Sequence, residues 1–313
     1  MERSEGERAA GRSQLLTIGE LARRAGVTVK TVRHYSDEGL LPDAGRSGGG
    51  HRRYAPEALE RLHRIRDLRA FGLSLPAVAD ALGGGSLEAA LAERLRDLGG
   101  RLAALRWRQA ALRAVTEAPP AERPALLRLL GAVPQPPTSE APVRFWRRLL
   151  PRELPPPLLA AILDEAVPAP PADPDPAQAV GCARLHAFTS RSRMSAAGRC
   201  DRPPPATGLA GRADPVALYR GLGEAYPLAA AAAAAGRPPA PGAELDAFVG
   251  AHAQAYGERD DDAFRAGLRE TVRAGEDPRM AAYWRHVDEV TGGGYPTMGT
   301  AHAWLVGALG AAG

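Results

Sequence analysis

The sequence is poor in cysteine and in long apolar runs, and each shortage excludes a class of protein. Its two cysteines, Cys182 and Cys200, are too few for a disulfide framework and fit a reducing compartment. No apolar run reaches the roughly 18 residues that a membrane-spanning helix needs, and the N-terminus is charged and polar, unlike a signal peptide. We therefore expect a cytoplasmic protein that has no membrane partner.

Enzymatic and metal-binding signatures are also missing. The sequence contains no P-loop, no dinucleotide-binding glycine fingerprint and no nucleophile elbow, so we predict neither an enzyme nor a cofactor. Cys182, His186 and Cys200 lack the close-paired spacing of a structural zinc site, and two unrelated core thiols are the favoured interpretation. We therefore predict no metal site.

Charge is distributed unevenly along the 313 residues. Residues 1–117 carry 20 Lys and Arg against 15 Asp and Glu, a net charge of +5, whereas residues 118–313 carry 20 against 21, a net charge of −1. An excess of positive charge in one part of a chain is typical of a segment that contacts nucleic acid phosphates.

Residues 17–37 have the pattern of a helix-turn-helix. Thr17 and Glu20 have capping-box spacing, and Gly26 ends the first predicted helix. Thr28 caps a second helix, in which we expect Val29, Val32 and Tyr35 to face inward. Such a helix can place its N-terminal residues in a DNA major groove. The candidate DNA contacts on it are Thr28, Lys30, Thr31, Arg33, His34 and Tyr35. An ordinary helical hairpin is the alternative.

A glycine-rich basic loop and a second helical pair follow. Gly48, Gly49 and Gly50 predict a flexible hairpin tip, and a basic strand comes after them. This wing supplies four candidate DNA contacts, His51, Arg52, Arg53 and Tyr54, with arginine neutralising phosphate and tyrosine donating a hydrogen bond. The next predicted helix presents Arg64 outward as a further candidate, although a solvated helix face is an equally good interpretation.

Residues 86–118 show leucines at intervals of three and four, which is typical of a coiled-coil seam. We predict a homodimer through this helix, and a helix packed inside its own subunit is the alternative. The adjacent Gly99 and Gly100 depart from the pattern, and we expect a kink or a close backbone approach there. The predicted dimerisation residues are Leu87, Leu91, Leu95, Leu98, Leu102, Leu105 and Leu112.

These motifs together, over about the first quarter of the chain, resemble the DNA-binding domain of the MerR family of transcription regulators. The resemblance implies a long helix that pairs antiparallel with its twin, and backbone contacts from the second helical pair. It also implies a dimer on a pseudo-palindromic promoter operator of double-stranded DNA. The dimer would distort a promoter with an overlong spacer so that RNA polymerase engages both elements. Metal-sensing relatives have cysteines near the end of the dimer helix, and none occurs before Cys182 here.

The sequence as a whole predicts a mainly α fold with a small β wing. We expect a disordered tail at 1–14, a winged helix-turn-helix at 15–84, a dimerisation helix at 85–118, a proline-rich linker at 119–142 and a helical effector domain at 143–313. A run within residues 277–290 is similar to short segments of helical C-terminal domains in actinobacterial MerR proteins, including antibiotic-binding ones.

Aromatic residues gather near the C-terminus, where they could line a pocket for a small-molecule effector. The candidates are Tyr256, Tyr283, Trp284 and Trp304, and the core of a helical domain is their more common role. Two other functions stay open. One is a ligand-independent regulator whose C-terminal region binds a protein partner, and the other is a protein that sequesters a small toxic molecule.

Overall fold

A computed structural model describes residues 15–191, 213–294 and 296–312 of the chain. The predicted disordered tail at 1–14 and Cys200 lie outside these residues. The chain divides into two compact units, which meet between Arg101 and Leu102. Among the residues that the structure describes, no helix is both long enough and apolar enough to cross a membrane.

The first unit combines a small sheet with four helices. Three short antiparallel strands lie in the order β1-β3-β2, with Leu16 opposite Tyr54 and Arg46 opposite Arg52. The strands are β1 Leu16–Thr17, β2 Gly45–Arg46 and β3 Arg52–Tyr54. The helices are α1 Ile18–Ala25, α2 Val29–Asp37, α3 Glu57–Ala70 and α4 Leu75–Leu82. The predicted helix-turn-helix and β wing are therefore confirmed, and strand β1 is an addition.

Local signals in the sequence fix the ends of these helices. The Thr17 Oγ1 accepts from the Glu20 amide at 3.1 Å, and the Glu20 carboxylate accepts from the Thr17 amide at 2.8 Å, so the capping box is complete. The Thr17 hydroxyl also donates to this carboxylate at 2.8 Å, and the hydrogen bonds from the Thr17 amide and hydroxyl lower the pKa of Glu20. Gly26 ends α1 with a φ of 64°, a conformation that costs glycine little.

The core of the first unit is built from apolar residues of every element except β2, including Leu21, Val32, Leu62 and Ile65. Tyr35 is half-buried against this core, as predicted, but Val29 is exposed. The prediction for Val29 was wrong because it is the first residue of α2 and lies beyond the edge of the packed surface.

Helix α5, Leu87–Glu117, follows α4 and remains helical through Gly99 and Gly100. Outside the helix's own backbone, a Cβ atom added at either glycine would meet no atom of the described residues within 4 Å, so no close backbone approach is present at these positions in that part of the chain. The unit boundary at Arg101 falls within this helix.

Among the residues described, the second unit contains helices and connecting loops but no strand, as predicted. Its remaining helices are α6 Arg123–Gly131, α7 Glu140–Leu149, α8 Pro156–Ala166, α9 Pro176–Arg191, α10 Pro215–Ala234, α11 Ala243–Tyr256, α12 Asp262–Gly275, α13 Pro278–Thr291 and α14 Met298–Ala311. They form two hydrophobic cores. The first core joins the end of α5 with α6 to α9 and α13, and the second core joins α10, α11, α12 and α14.

Part of the predicted linker at 119–142 is folded. Residues 123–131 form α6, and Leu130 and Val133 are buried in the first core. Pro124 is compatible with this helix because it lies in the first turn, where a backbone N–H has no partner within the helix. The segment is therefore part of the packed unit rather than an open linker.

Candidate nucleic-acid interface

The N-terminal half of α2 presents cationic side chains to solvent. Lys30, Arg33 and His34 are exposed, and within the described residues no ion pair or side-chain hydrogen bond joins Lys30 or Arg33 to another group. The hydroxyls of Thr28 and Thr31 lie 2.9 Å apart, and Thr28 also accepts from the Thr31 amide at 3.1 Å. The cations are therefore available to a ligand, whereas the threonines are partly engaged in capping the helix.

A concave surface lies beside this end of α2. It is lined by Thr28, Lys30, Thr31, His34, Tyr35, Arg69 and Leu75. Leu75 is the first residue of α4, so the surface brings the beginnings of α2 and α4 together. Both helix beginnings carry partial positive charge, which favours an anion such as a phosphate.

The wing is a tight hairpin. The Ser47 amide donates to the His51 carbonyl at 2.8 Å, and Gly50 turns the chain with a φ of 77°. His51 is exposed and Arg53 is half-buried. Arg46 on β2 is also exposed and has no partner among the described side chains, although sequence reasoning did not select it. The sequence signal for Arg46 is that it is a basic residue just before the glycine-rich hairpin tip.

Arg52 is engaged inside the unit. Its Nη1 lies 2.6 Å from Asp37 Oδ1, and its Nε lies 3.9 Å from Asp43 Oδ2. The hydrogen bond to Asp37 raises the pKa of Arg52. The predicted wing cation therefore already has carboxylate partners in the isolated chain.

Tyr54 is buried, and its prediction as a DNA contact requires correction. The side chain is 0% exposed, and its hydroxyl donates to Ser36 Oγ at 3.1 Å. Pairing of β3 with β1 turns this ring into the core, because successive residues of a strand point to opposite faces and Tyr54 takes the inner one. Tyr54 thus supports the wing from inside.

The arginines of α3 divide into two kinds. Arg61 donates to the Leu40 carbonyl at 2.7 Å and Arg66 to the Ala25 carbonyl at 2.6 Å, while Arg69 donates to the Leu73 carbonyl. These carbonyls lie at or just beyond helix ends, where they lack partners within the helix. Arg64 is different, because it is exposed and lies 3.2 Å from Glu60 one turn earlier.

The family comparison agrees with this geometry. The family model described as "MerR HTH family regulatory protein" matches residues 16–84, which span the sheet, the helix-turn-helix and the second helical pair. Residues 16–84 are a MerR-family helix-turn-helix domain.

Curated proteins share this similarity over part of their length. The nodulation protein NolA of Bradyrhizobium elkanii is 46% identical over 77 residues, 25% of this chain and 35% of that protein. The HTH-type transcriptional activator TipA of Streptomyces coelicolor is 47% identical over 66 residues, 21% of this chain and 26% of that protein. The mercuric resistance operon regulatory protein of Bacillus cereus is 38% identical over 66 residues, 21% of this chain and 50% of that protein. The matches thus span between about a quarter and half of these relatives.

A solved structure is similar as well. HiNmlR, a MerR-family regulator lacking the sensor domain and bound to promoter DNA, is 28% identical. The match covers 29% of this chain and 79% of that chain, with a TM-score of 0.23 that is too low to support an argument about shape.

Beyond the MerR-family domain, most leucines of the predicted seam on α5 are exposed. Leu91 is the exception, because it packs partly against the core of the first unit. The exposed ones are Leu87, Leu95, Leu98, Leu102, Leu105 and Leu112. Between Leu105 and Leu112, the seam position is occupied by Gln109, which is also exposed.

The four aromatic residues predicted to bind an effector do not come together. Tyr283 and Trp284 belong to the first core, whereas Tyr256 and Trp304 belong to the second. The Tyr283 hydroxyl donates to the Ala166 carbonyl at 2.6 Å, and Trp304 Nε1 donates to the Arg237 carbonyl at 2.8 Å. The four residues are separated because their helices pack into different cores, which the spacing of the aromatic residues in the sequence did not show. Their alternative role as core residues is the one the structure supports.

Cys182 and His186 share a face of α9 and line a cavity of about 20 Å³. This volume holds about one water molecule, far less than a drug-sized ligand occupies. Burial raises the pKa of the Cys182 thiol to about 11, which keeps it protonated. Among the described residues no three His, Cys, Asp or Glu side chains form a metal cluster.

Proposed function

We propose that this chain is a sequence-specific DNA-binding transcriptional regulator that acts as a homodimer. The observation that carries the proposal is the unpaired positive charge of the MerR-family domain. Lys30 and Arg33 lie on the helix that enters the major groove in helix-turn-helix proteins, and Arg46 lies on the adjacent wing. The similarity to TipA, a transcriptional activator, and to the mercuric resistance operon regulatory protein supports the same function.

The proposed division of labour follows from side-chain chemistry. The long cations of α2 can reach base edges and so read sequence, while the N-cap Thr28, together with Thr31 and His34 on the same helix, is proposed to contact phosphates. On the wing, Arg46, His51 and Arg53 are candidates for backbone contacts. Arg64 adds a phosphate contact only if it leaves Glu60.

The proposed dimer rests on two opposite apolar faces of α5. Leu105 and Leu112 are exposed, whereas Trp107 and Ala114, each two residues further along, are buried in the first core. Two residues correspond to about 200° around an α-helix, so these pairs point to opposite sides. One face is thus used within the subunit. The other face carries the exposed seam, and we propose that it pairs with the same seam of a second copy, because burial of each leucine is worth about 1.5–3 kcal/mol.

Helix α5 also offers a route from the second unit to this seam. Trp107 is anchored in the first core, and its Nε1 donates to the Val133 carbonyl at 2.8 Å. A change in the packing of that core therefore acts on the same helix that carries the seam leucines. We infer that an effector bound by the second unit shifts the dimer between DNA-bound states. A small molecule is the proposed effector, and a protein partner or simple sequestration of a ligand are the alternatives.

The family resemblance also suggests how the dimer would act on a promoter. The dimer would bind a pseudo-palindromic operator and deform it so that RNA polymerase engages the promoter. Bending of a site costs a few kcal/mol, which several Arg–phosphate contacts offset.

Selection of binding sites from randomised duplex DNA tests this proposal, with the full chain immobilised and the selected duplex then titrated with salt. We expect an inverted repeat to be enriched and the affinity to fall steeply as salt rises. Failure to enrich any sequence at low salt would contradict the proposed function.

A further inference from the structure

Two contacts join the wing to the end of the recognition helix. Arg52 Nη1 reaches Asp37 Oδ1 at 2.6 Å, and the Tyr54 hydroxyl donates to Ser36 Oγ at 3.1 Å. Ser36 in turn donates to the Leu41 carbonyl at 2.9 Å. Adjacent residues of α2 thus receive alternate residues of β3, which is what the two-residue period of a strand allows. The wing and α2 are therefore held at a defined separation.

The charges around Arg52 argue against a free phosphate ligand. Asp37 and Asp43 lie 2.6 Å and 3.9 Å from its guanidinium, so two carboxylates surround one cation. A phosphate would have to displace a carboxylate to take the same donors. Arg46 lies directly across the hairpin from Arg52, yet it is exposed and has no carboxylate partner among the described side chains.

We propose that Arg52 is a positioning residue that ties the wing to the recognition helix through Asp37, and that Arg46 is the wing cation that meets the phosphate backbone. The inference rests on the proposed function, because it assigns two roles within the DNA-binding surface. Arg52 acts on DNA through Asp37, by fixing where the wing lies and by neutralising a carboxylate beside it. Arg46 acts directly, through its own charge.

The two roles predict opposite results for Asp37→Asn. This substitution removes one negative charge and frees Arg52, so electrostatics alone predicts tighter binding to DNA. Loss of the tie predicts weaker binding, because the wing is no longer held in place. We expect affinity to fall by about threefold, a modest effect in keeping with a partly exposed ion pair.

The salt dependence of binding separates Arg52 from Arg46. Each phosphate contact contributes about −0.9 to the slope of log affinity against log salt concentration. We expect Arg46→Ala to reduce the magnitude of this slope by about one per subunit. Arg52→Ala should lower the affinity, but it should change the salt slope by less than about half of the change expected for Arg46→Ala.

A charge exchange gives the decisive test. In the full chain, the double variant Asp37→Arg with Arg52→Asp reverses the ion pair and leaves the net charge unchanged. Asp37→Arg alone completes a double-mutant cycle, because its added charge raises DNA affinity by itself. If the pair positions the wing, Asp37→Arg should raise the affinity more in the Arg52→Asp background than in the wild type. If Arg52 binds phosphate directly, the gain is the same in both backgrounds, which would overturn the inference.

Two controls keep the result interpretable. Thermal unfolding of every variant shows whether the first unit is folded. Arg52→Lys is a second, milder variant at this position, because it keeps the positive charge on the wing. Failure of the wild-type chain to bind any selected duplex would count against the proposed function. Wild-type binding combined with a slope reduced in magnitude by about one per subunit in Arg52→Ala would count against this inference alone.

Discussion

Leu105 and Trp107 lie two residues apart on α5 but have opposite surroundings, since Leu105 is 60% exposed and Trp107 is 2% exposed. The helix therefore has one face that completes the first core and another that none of the described residues covers. A leucine seam with this placement is expected to associate with another apolar helix. The proposed dimer and the route of the signal both depend on this relationship.

Leu105→Asp should abolish the dimer and leave the fold intact. A carboxylate in the seam would have to be buried without a partner, which costs far more than the exposed leucine contributes to the monomer. Leu127→Asp is the matched control, because Leu127 is an exposed leucine on α6 outside the seam. Sedimentation velocity should show a monomer for the first variant only. Equal association of both variants would rule out the seam as the interface.

Substitution of the helical glycines tests whether the partner approaches them. Space around Gly99 and Gly100 is open in the monomer, and alanine is favoured over glycine in a helix by up to about 1 kcal/mol per residue. Gly99→Ala and Gly100→Ala should therefore raise the unfolding temperature without weakening the dimer. A dimer weakened by either change would show that the glycines allow close helix contact.

Arg33→Ala should reduce discrimination between the selected operator and random DNA. Arg33 is exposed on α2 without a partner among the described residues, and a bidentate contact to a base is worth about 1–3 kcal/mol. Competition binding with operator and random duplexes measures the ratio of affinities. If the ratio is unchanged and only the salt slope falls, Arg33 contacts phosphate rather than a base.

Stability of the second core should fall in acid. His252 and His302 are half-buried beside Phe248 of that core, and desolvation lowers the pKa of both below the ordinary 6.5. Below pH 6.5 the unfolded chain binds protons that the folded chain excludes, so the free energy of unfolding decreases as pH falls through this range.

Urea unfolding at about pH 7.5 and about pH 5.5 measures this effect. The variant His252→Gln with His302→Gln should lose much of the pH dependence, because glutamine does not titrate. A wild-type chain that is equally stable at both pH values would contradict the assignment.

Local signals account for the parts that sequence reasoning predicted correctly. The capping box at Thr17, the glycine at 26 and the cap at Thr28 act within a few residues, so they fix α1 and α2 wherever the rest of the chain packs. The seam on α5 was visible for the same reason, since leucine spacing defines a helix face without reference to other elements.

Errors arose where the deciding partner is distant in sequence. Tyr54 was interpreted as a DNA contact, but it is buried and its partner Ser36 lies 18 residues away. The sequence also did not reveal the ion pair of Arg52 with Asp37, 15 residues away. Spacing within the wing carries no information about such pairs. The effector candidates show the same limit, because helix order places Tyr283 and Trp304 in different cores.

A hydroxyl-radical footprint of the full chain on its selected operator tests the central claim most directly. The account predicts two protected half-sites related by a dyad and spaced by about one or two helical turns, since each copy of α2 would occupy one major groove. Protection of a single half-site at protein concentrations that saturate the duplex would contradict a dimeric DNA-binding regulator.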